Sequence, residues 1–142
     1  MHKIDTGALR SLAEELGPRV RLKEFNGATI IQHTRARLFL AEFNPDTSEV
    51  MVALEAAFPD HQELNGEELN EEALDLLAPR MKSLQNRGYE LREIDARPGF
   101  PAGREVENEI PVVDVFLSRT IDTVEELREE LRWLIDEIPL NA

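Results

Sequence analysis

The chain has 142 residues, of which 42% are hydrophobic and 32% are charged, and its formal net charge is −13. This length and hydrophobic content predict a single folded domain over residues 1–142 with a full core, and they exclude a disordered chain. The negative charge repels nucleic-acid phosphates and anionic lipids, and no apolar run approaches the roughly 20 residues of a membrane span. We therefore expect no nucleic-acid partner and no membrane partner.

The sequence has neither a signal-peptide pattern nor a cysteine. The first residues lack the apolar segment of a signal peptide, so we expect a cytoplasmic protein. The chain has no cysteine, which excludes disulfides and thiolate metal sites.

The first predicted element is a helix that Asp5 or Thr6 can cap. Its apolar residues recur at helical spacing, at Leu9, Leu12, Ala13 and Leu16. Gly17-Pro18 predicts its end, because glycine suits the position after a helix and proline blocks continuation.

A block of strands follows this helix. Arg19–Phe25 alternates apolar and polar residues, and Asn26-Gly27 is a strong signal for a two-residue hairpin turn. Ala28–Thr34 should therefore run back antiparallel, and His33–Ala36 would form the next turn.

Two further strands continue this meander. Arg37–Phe43 and Glu49–Glu55 are rich in strand-forming residues, and the turn-forming cluster Asn44–Ser48 lies between them. The chain thus predicts three or four consecutive antiparallel strands, closed by a polar connection over Pro59–Glu68.

Asn70 is the predicted cap of a second helix that Gly88 ends. Pro79 lies within its apolar pattern, so we expect a kink there or two short helices end to end. Tyr89–Ala96 then reads as a strand whose uneven alternation indicates a bulge near Glu93.

The last third contains a loop, a strand and a helix. Arg97–Glu109 is predicted to be a loop because of its prolines and glycines, and Pro111–Arg119 is apolar on both faces, as in an interior strand. The final helix should begin after Asp122, with Glu125 completing a capping box, and should run to about Ile138.

Together these elements predict an α+β domain with the order α-β-β-β(-β)-α-β-β-α and an antiparallel sheet of about five strands with flanking helices. This organisation resembles two related groups of small bacterial proteins, the YbjN-like domains and the class I chaperones of type III secretion. The residues that carry the resemblance are Leu9–Leu16, Arg37–Leu54 and Val112–Ile138. The resemblance implies a dimer-forming or protein-binding module without catalysis.

The final helix contains the main candidate for a binding surface. Its apolar residues form one stripe, and Trp133 lies roughly opposite that stripe at about 100° per residue. The helical neighbours of Trp133 there are polar, namely Glu126, Glu129, Glu130 and Glu137. A tryptophan on a polar helix face is typical of an interface. The alternative is that another segment covers it, for example Phe100 on the preceding loop.

Asp114 interrupts the apolar strand, and a buried carboxylate must be paired or neutralised. An arginine such as Arg37 on a neighbouring strand would satisfy it structurally. The alternative is a carboxylate that lines a ligand pocket.

No catalytic, cofactor-binding or metal-binding residues are predicted. The three histidines, His2, His33 and His61, are scattered, and none pairs with another at the helical spacing of a zinc site. Phosphate-binding glycine motifs and a nucleophile elbow are missing from the sequence.

Two acidic clusters, Glu67-Glu68 with Glu71-Glu72 and Glu125-Glu126 with Glu129-Glu130, would suit a basic protein if they converge in space. The leading hypothesis is a non-enzymatic protein-binding or chaperone-like module that acts through a homodimer or a partner surface. The second is an acidic immunity protein or antitoxin that neutralises a basic partner. The third is a small-molecule-binding domain or enzyme with a pocket near Asp114.

Overall fold

A computed structural model describes residues 4–18, 20–25, 28–33, 39–59, 66–99 and 107–136. In chain order its elements are α1 (Thr6–Leu16), β1 (Val20–Phe25), β2 (Ala28–His33), β3 (Phe39–Asn44), β4 (Glu49–Ala57), α2 (Gly66–Asn86), β5 (Glu90–Gly99), β6 (Ile110–Thr120) and α3 (Val124–Asp136).

The strands form one six-stranded antiparallel sheet in the order β1-β2-β3-β4-β6-β5. The predicted α+β class and element order are confirmed, with the optional fourth strand present. As its apolar sequence predicted, β6 is an interior strand, held between β4 and β5.

One face of the sheet forms the core. Alternate residues of β4, from Val50 to Ala56, are buried and point to the same side. They join a single hydrophobic cluster with buried residues of all three helices, including Leu12, Leu77 and Leu131. The helices therefore pack against this inner face, and the side chains between the buried ones point to the opposite, outer face.

Local signals position several elements as predicted. The Asp5 side chain caps α1 by accepting a hydrogen bond from the Ala8 N–H at 2.8 Å, and Gly17 adopts a φ of 82° after the helix. In the turn between β3 and β4, Asn44 Oδ1 accepts from the Asp46 N–H at 2.9 Å, which is an Asx turn.

Three boundaries differ from the predictions. Asn70 does not cap α2, because the helix already begins at Gly66 and continues through Pro79 to Asn86 without a break. The cap of α3 is Thr123 rather than Asp122: its hydroxyl accepts from the Glu126 N–H at 3.1 Å. Glu126 Oε2 in turn accepts from the Asp122 N–H at 3.2 Å, one residue before the cap, so the reciprocal bond of the predicted capping box is not made to the cap residue itself.

β5 contains the predicted bulge, between Leu91 and Glu93, but runs longer than predicted. Its pairing with β6 continues through Pro98, opposite Pro111, to Gly99. β5 therefore includes the first three residues of the predicted loop, because antiparallel pairing to β6 outweighs the local turn preference of proline and glycine, and residues 100–106 of that loop lie outside the described residues. His33 is the last residue of β2, and the remainder of the turn predicted at His33–Ala36 lies outside the described residues.

The end of α2 is fixed by backbone hydrogen bonds. The Tyr89 N–H donates to the Leu84 carbonyl at 3.1 Å, and the Gly88 N–H donates to the Gln85 carbonyl at 3.0 Å. Gly88 has a φ of 96°. This is a Schellman motif with glycine at its left-handed position, and it sets where Arg87 and Tyr89 begin the path into β5.

In the part of the chain that the structure describes, none of the helices combines the length and apolarity that crossing a membrane requires.

Replacing Gly88 with alanine should lower the free energy of unfolding by about 1 kcal/mol, because an L-residue is strained at this positive φ. No atom lies within 4 Å of the added Cβ, so backbone strain alone is tested. Urea unfolding monitored by the single tryptophan measures it. The matched control is Gly66→Ala in α2, where space is also open and φ is not positive. Equal effects of the two substitutions would contradict the assignment.

Candidate functional site

The carboxylate of Glu130, on α3, is the centre of a buried polar cluster. Glu130 is only 2% exposed. Its Oε1 accepts from Arg87 Nε at 3.0 Å and from Arg119 Nη1 at 2.9 Å. Its Oε2 accepts from the hydroxyl of Tyr89 at 2.9 Å. Both carboxylate oxygens are therefore satisfied by donors from other elements.

Two regions of the chain bring these donors together, the turn after α2 and the end of β6. The Schellman motif at the end of α2 places Arg87 and Tyr89 on either side of Gly88. Arg119 is the penultimate residue of β6. Its Nη1 also donates to the Arg87 carbonyl at 2.9 Å. Arg119 Nη2 in turn donates to Glu126 Oε1 at 2.5 Å. The cluster thus contains two arginines and two glutamates and is neutral as a whole.

Burial and the neighbouring Glu130 charge raise the pKa of Tyr89 far above its ordinary value of 10.0. The hydroxyl therefore stays protonated and keeps donating to the carboxylate. With every charge paired, these groups resemble a structural ion network more than a site prepared for proton transfer.

Trp133 lies at the edge of this cluster. The guanidinium carbon of Arg87 is 4.3 Å from the centre of the Trp133 ring, which is the geometry of a cation–π contact. The indole is half-buried and packs against the core. The residue that covers it in the described structure is thus Arg87, whereas Phe100 lies outside the described residues.

The sequence places Glu130 on the polar helix face with Trp133, whereas the structure buries it. Glu130 and Trp133 are about 60° apart around the helix axis, so a buried Glu130 brings Trp133 to the flank of the buried face. The apolar stripe alone could not predict that Trp133 flanks the buried face. Glu130 extends this buried face because its charge is paired, yet the hydrophobic pattern treats it as a polar residue.

The other members of the predicted surface separate into different environments. Glu126 is half-buried and is held by Arg119, whereas Glu129 is exposed. Glu137 lies outside the described residues. Their role in partner binding stays a prediction.

Asp114 is 9% exposed and is paired. Its Oδ2 accepts from Arg97 Nε at 2.8 Å, and Arg97 Nη2 lies 4.0 Å from Glu55 on β4. The partner is an arginine of the neighbouring strand β5, while Arg37 lies outside the described residues. Since Asp95 is the residue directly opposite Asp114, Arg97 reaches it diagonally, and only the register reveals this.

A second candidate surface lies on α2, and we call it the α2 surface. Its acidic members are all exposed: Glu67, Glu68, Glu71, Glu72 and Asp75. Next along the helix is Leu76, which is 62% exposed. A depression of about 430 Å³ is lined there by Leu76, Pro79, Arg80 and Ser83. Sequence reasoning identified most of these acids but missed Leu76, the leucine beside the buried stripe.

The two acidic clusters do not meet where α2 approaches α3. The contact between these helices runs through Arg87 and Glu130, at the C-terminal end of α2. Asp75 is twelve residues earlier, about 18 Å along the helix axis. The α2 surface is therefore separate from the Glu130 cluster.

Replacing Glu130 with glutamine should lower the free energy of unfolding by about 2 kcal/mol, because two arginines lose their shared carboxylate. The expected loss of unfolding free energy is moderate because the Arg87 and Arg119 side chains are 34% and 21% exposed and can be hydrated. Denaturant unfolding measures the change. Glu129→Gln, at the exposed neighbouring position, is the matched control and should change stability by less than about 0.5 kcal/mol.

Stability should fall in alkali because of Tyr89, the single tyrosine of the chain. The unfolded chain releases this proton near pH 10, whereas the folded chain keeps it, so rising pH favours unfolding. Tyr89 should lower the free energy of unfolding by up to about 1.4 kcal/mol for each pH unit above about pH 10. Urea unfolding of the wild type and of Tyr89→Phe over this range isolates it. A tyrosinate absorbance band that appears before unfolding would contradict the assignment.

Comparison with family models, with curated proteins and with solved structures finds no match for this chain. The resemblance to YbjN-like domains and class I secretion chaperones therefore stays a prediction.

Proposed function

We propose that this protein is a non-enzymatic, chaperone-like protein-binding module that recognises a basic protein partner through the α2 surface. The observation that carries the proposal is an exposed leucine, Leu76, placed between a row of exposed carboxylates and a surface depression.

The charge distribution supports a basic partner. The three helices contain twelve acidic and five basic residues, so they carry −7 of the total −13. The first half of α2 contributes five acids and no base. Such a surface steers a positively charged partner and speeds its association, with an effect that salt weakens.

The apolar residue supports a specific contact rather than a diffuse one. An exposed large apolar side chain beside a depression offers contact area that removes water on binding. Pro79 and Ser83 help to shape this depression: the ring removes a backbone N–H, and the Ser83 hydroxyl donates to the Pro79 carbonyl at 3.2 Å. We infer that an apolar side chain of the partner, flanked by lysine or arginine, fills this depression.

The two other polar groupings support a role without catalysis. Glu130 is enclosed by donors, and Asp114 is paired with Arg97. Both carboxylates are engaged in holding elements together. A secretion chaperone and an immunity protein would each fit a basic partner, and the identity of the captured partner decides between these two.

The experiment starts with capture from the native host by the tagged chain, followed by titration calorimetry with the purified partner. Glu67→Lys, Glu71→Lys and Asp75→Lys together should weaken binding at least about tenfold, because they reverse the steering charge. Leu76→Glu should weaken it by a similar factor through loss of the apolar contact. Rising salt should lower the affinity of the wild type.

The matched control reverses three exposed acids on the other helices, with Glu14→Lys, Glu125→Lys and Glu129→Lys. It changes net charge equally and should leave most of the affinity. If the control weakens binding as much as the α2 variant, net charge rather than the α2 surface governs binding. If only the control weakens it, the surface around α3 is the binding site instead.

A further inference from the structure

Pro79, inside α2, leaves one backbone oxygen of the α2 surface without its helical donor. Proline has no amide hydrogen, so Pro79 cannot donate to the carbonyl oxygen of Asp75, four residues earlier. Asp75 and Pro79 are both exposed, and they lie only about 40° apart around the helix axis. The Asp75 carbonyl is therefore a surface acceptor whose hydrogen bond comes from water or from a bound molecule.

This oxygen lies at the border of the depression in the α2 surface. It belongs to the peptide group that joins Asp75 to Leu76, and it is directed along the helix axis towards Pro79. Leu76 and Pro79 both line the depression. The carbonyl of Pro79 is already engaged, because it accepts from the Ser83 hydroxyl at 3.2 Å. The depression thus combines an apolar wall with a hydrogen-bond acceptor at its rim.

The remaining lining residue, Arg80, restricts what can enter. Its positive charge opposes a second cation, whereas a guanidinium attracts the face of an aromatic ring. The volume of about 430 Å³ falls within the range of small-molecule sites, roughly 300 to 1,000 Å³. Size and chemistry therefore favour a flat, uncharged group with an apolar body and one hydrogen-bond donor.

We propose that the depression binds the indole ring of a tryptophan of the basic partner, with the indole N–H donating to the Asp75 carbonyl. This inference rests on the proposed function and names the side chain that the partner inserts. An indole is a donor only, whereas a tyrosine hydroxyl also carries lone pairs that would face the carbonyl and the nearby carboxylates. Tryptophan is also a frequent anchor of protein interfaces. Lysine or arginine beside it in the partner would meet the exposed acids of α2.

A second copy of this chain does not supply the indole. Trp133 is the single tryptophan of the sequence. It is half-buried, packs against the core and lies against the Arg87 guanidinium. The tryptophan that enters the depression therefore comes from a different protein.

A substitution at Pro79 separates binding from stability. Pro79→Val keeps apolar bulk and restores an amide hydrogen that can donate to the Asp75 carbonyl. The helix should gain a hydrogen bond, so the variant should unfold at a higher urea concentration than the wild type. The ligand should at the same time lose its acceptor and bind more weakly. A proline that serves only the fold would not give higher stability together with weaker binding.

The test titrates the isotope-labelled full chain with N-acetyl-tryptophanamide and follows the backbone amide signals by NMR. Signals of α2 between Asp75 and Ser83 should shift. The 1-methyl derivative of the probe lacks the indole N–H, and it should bind at least about threefold more weakly, as the loss of one hydrogen bond predicts. In Pro79→Val this difference between the two probes should fall below about twofold. Ala78→Val, exposed and outside the depression, is the matched control and should keep the wild-type difference.

Three results would overturn the proposal. They are unchanged α2 signals at the solubility limit of the probe, equal affinities of the wild type for the two probes, and a Pro79→Val variant that still distinguishes them. Tighter binding of N-acetyl-lysinamide at the same signals would also overturn it. The indole probe carries no net charge, so its binding does not depend on the acidity of α2. Failure to capture a basic partner, with probe binding intact, would therefore count against the proposed function alone.

Discussion

The packing of this domain depends on one shared carboxylate. Glu130 lies where α3, the end of α2 and the end of β6 meet, and it accepts hydrogen bonds from Arg87, Tyr89 and Arg119. Bringing a carboxylate to 2% exposure is costly unless its charge is balanced and its oxygens are satisfied. Two arginines and a tyrosine meet that requirement, and in doing so they fix the position of α3 relative to the sheet. Trp133 then lies beneath the Arg87 guanidinium as a consequence of the same contact.

Because all three helices gather on the inner face, the molecule presents two chemically different sides. The helical side concentrates acidic residues and carries Leu76 beside a depression. The sheet side carries charged residues of both signs, and several of them are paired with each other: Arg92 with Glu90, and Arg97 with Asp114.

Much of the architecture followed from local signals, because short-range chemistry decides caps and turns. Asp5 at the start of α1 and the Asx turn at Asn44 are determined by neighbours within three residues. The site residues depended on contacts far apart in the chain. Glu130 and Arg87 are 43 residues apart, and a helical wheel classes the glutamate as solvent-facing. The pairing of Asp114 with Arg97 likewise depends on the register of the strands, which cannot be derived from the sequence alone.

The irregular path of β5 bears on how far such chains can associate. An edge strand offers unpaired backbone groups that can recruit another strand, and repeated recruitment produces fibres. On β5 the bulge between Leu91 and Glu93 interrupts the ladder, and Pro98 lacks the amide hydrogen that a new neighbour would need. Open-ended growth along this edge is therefore blocked by covalent structure and backbone geometry.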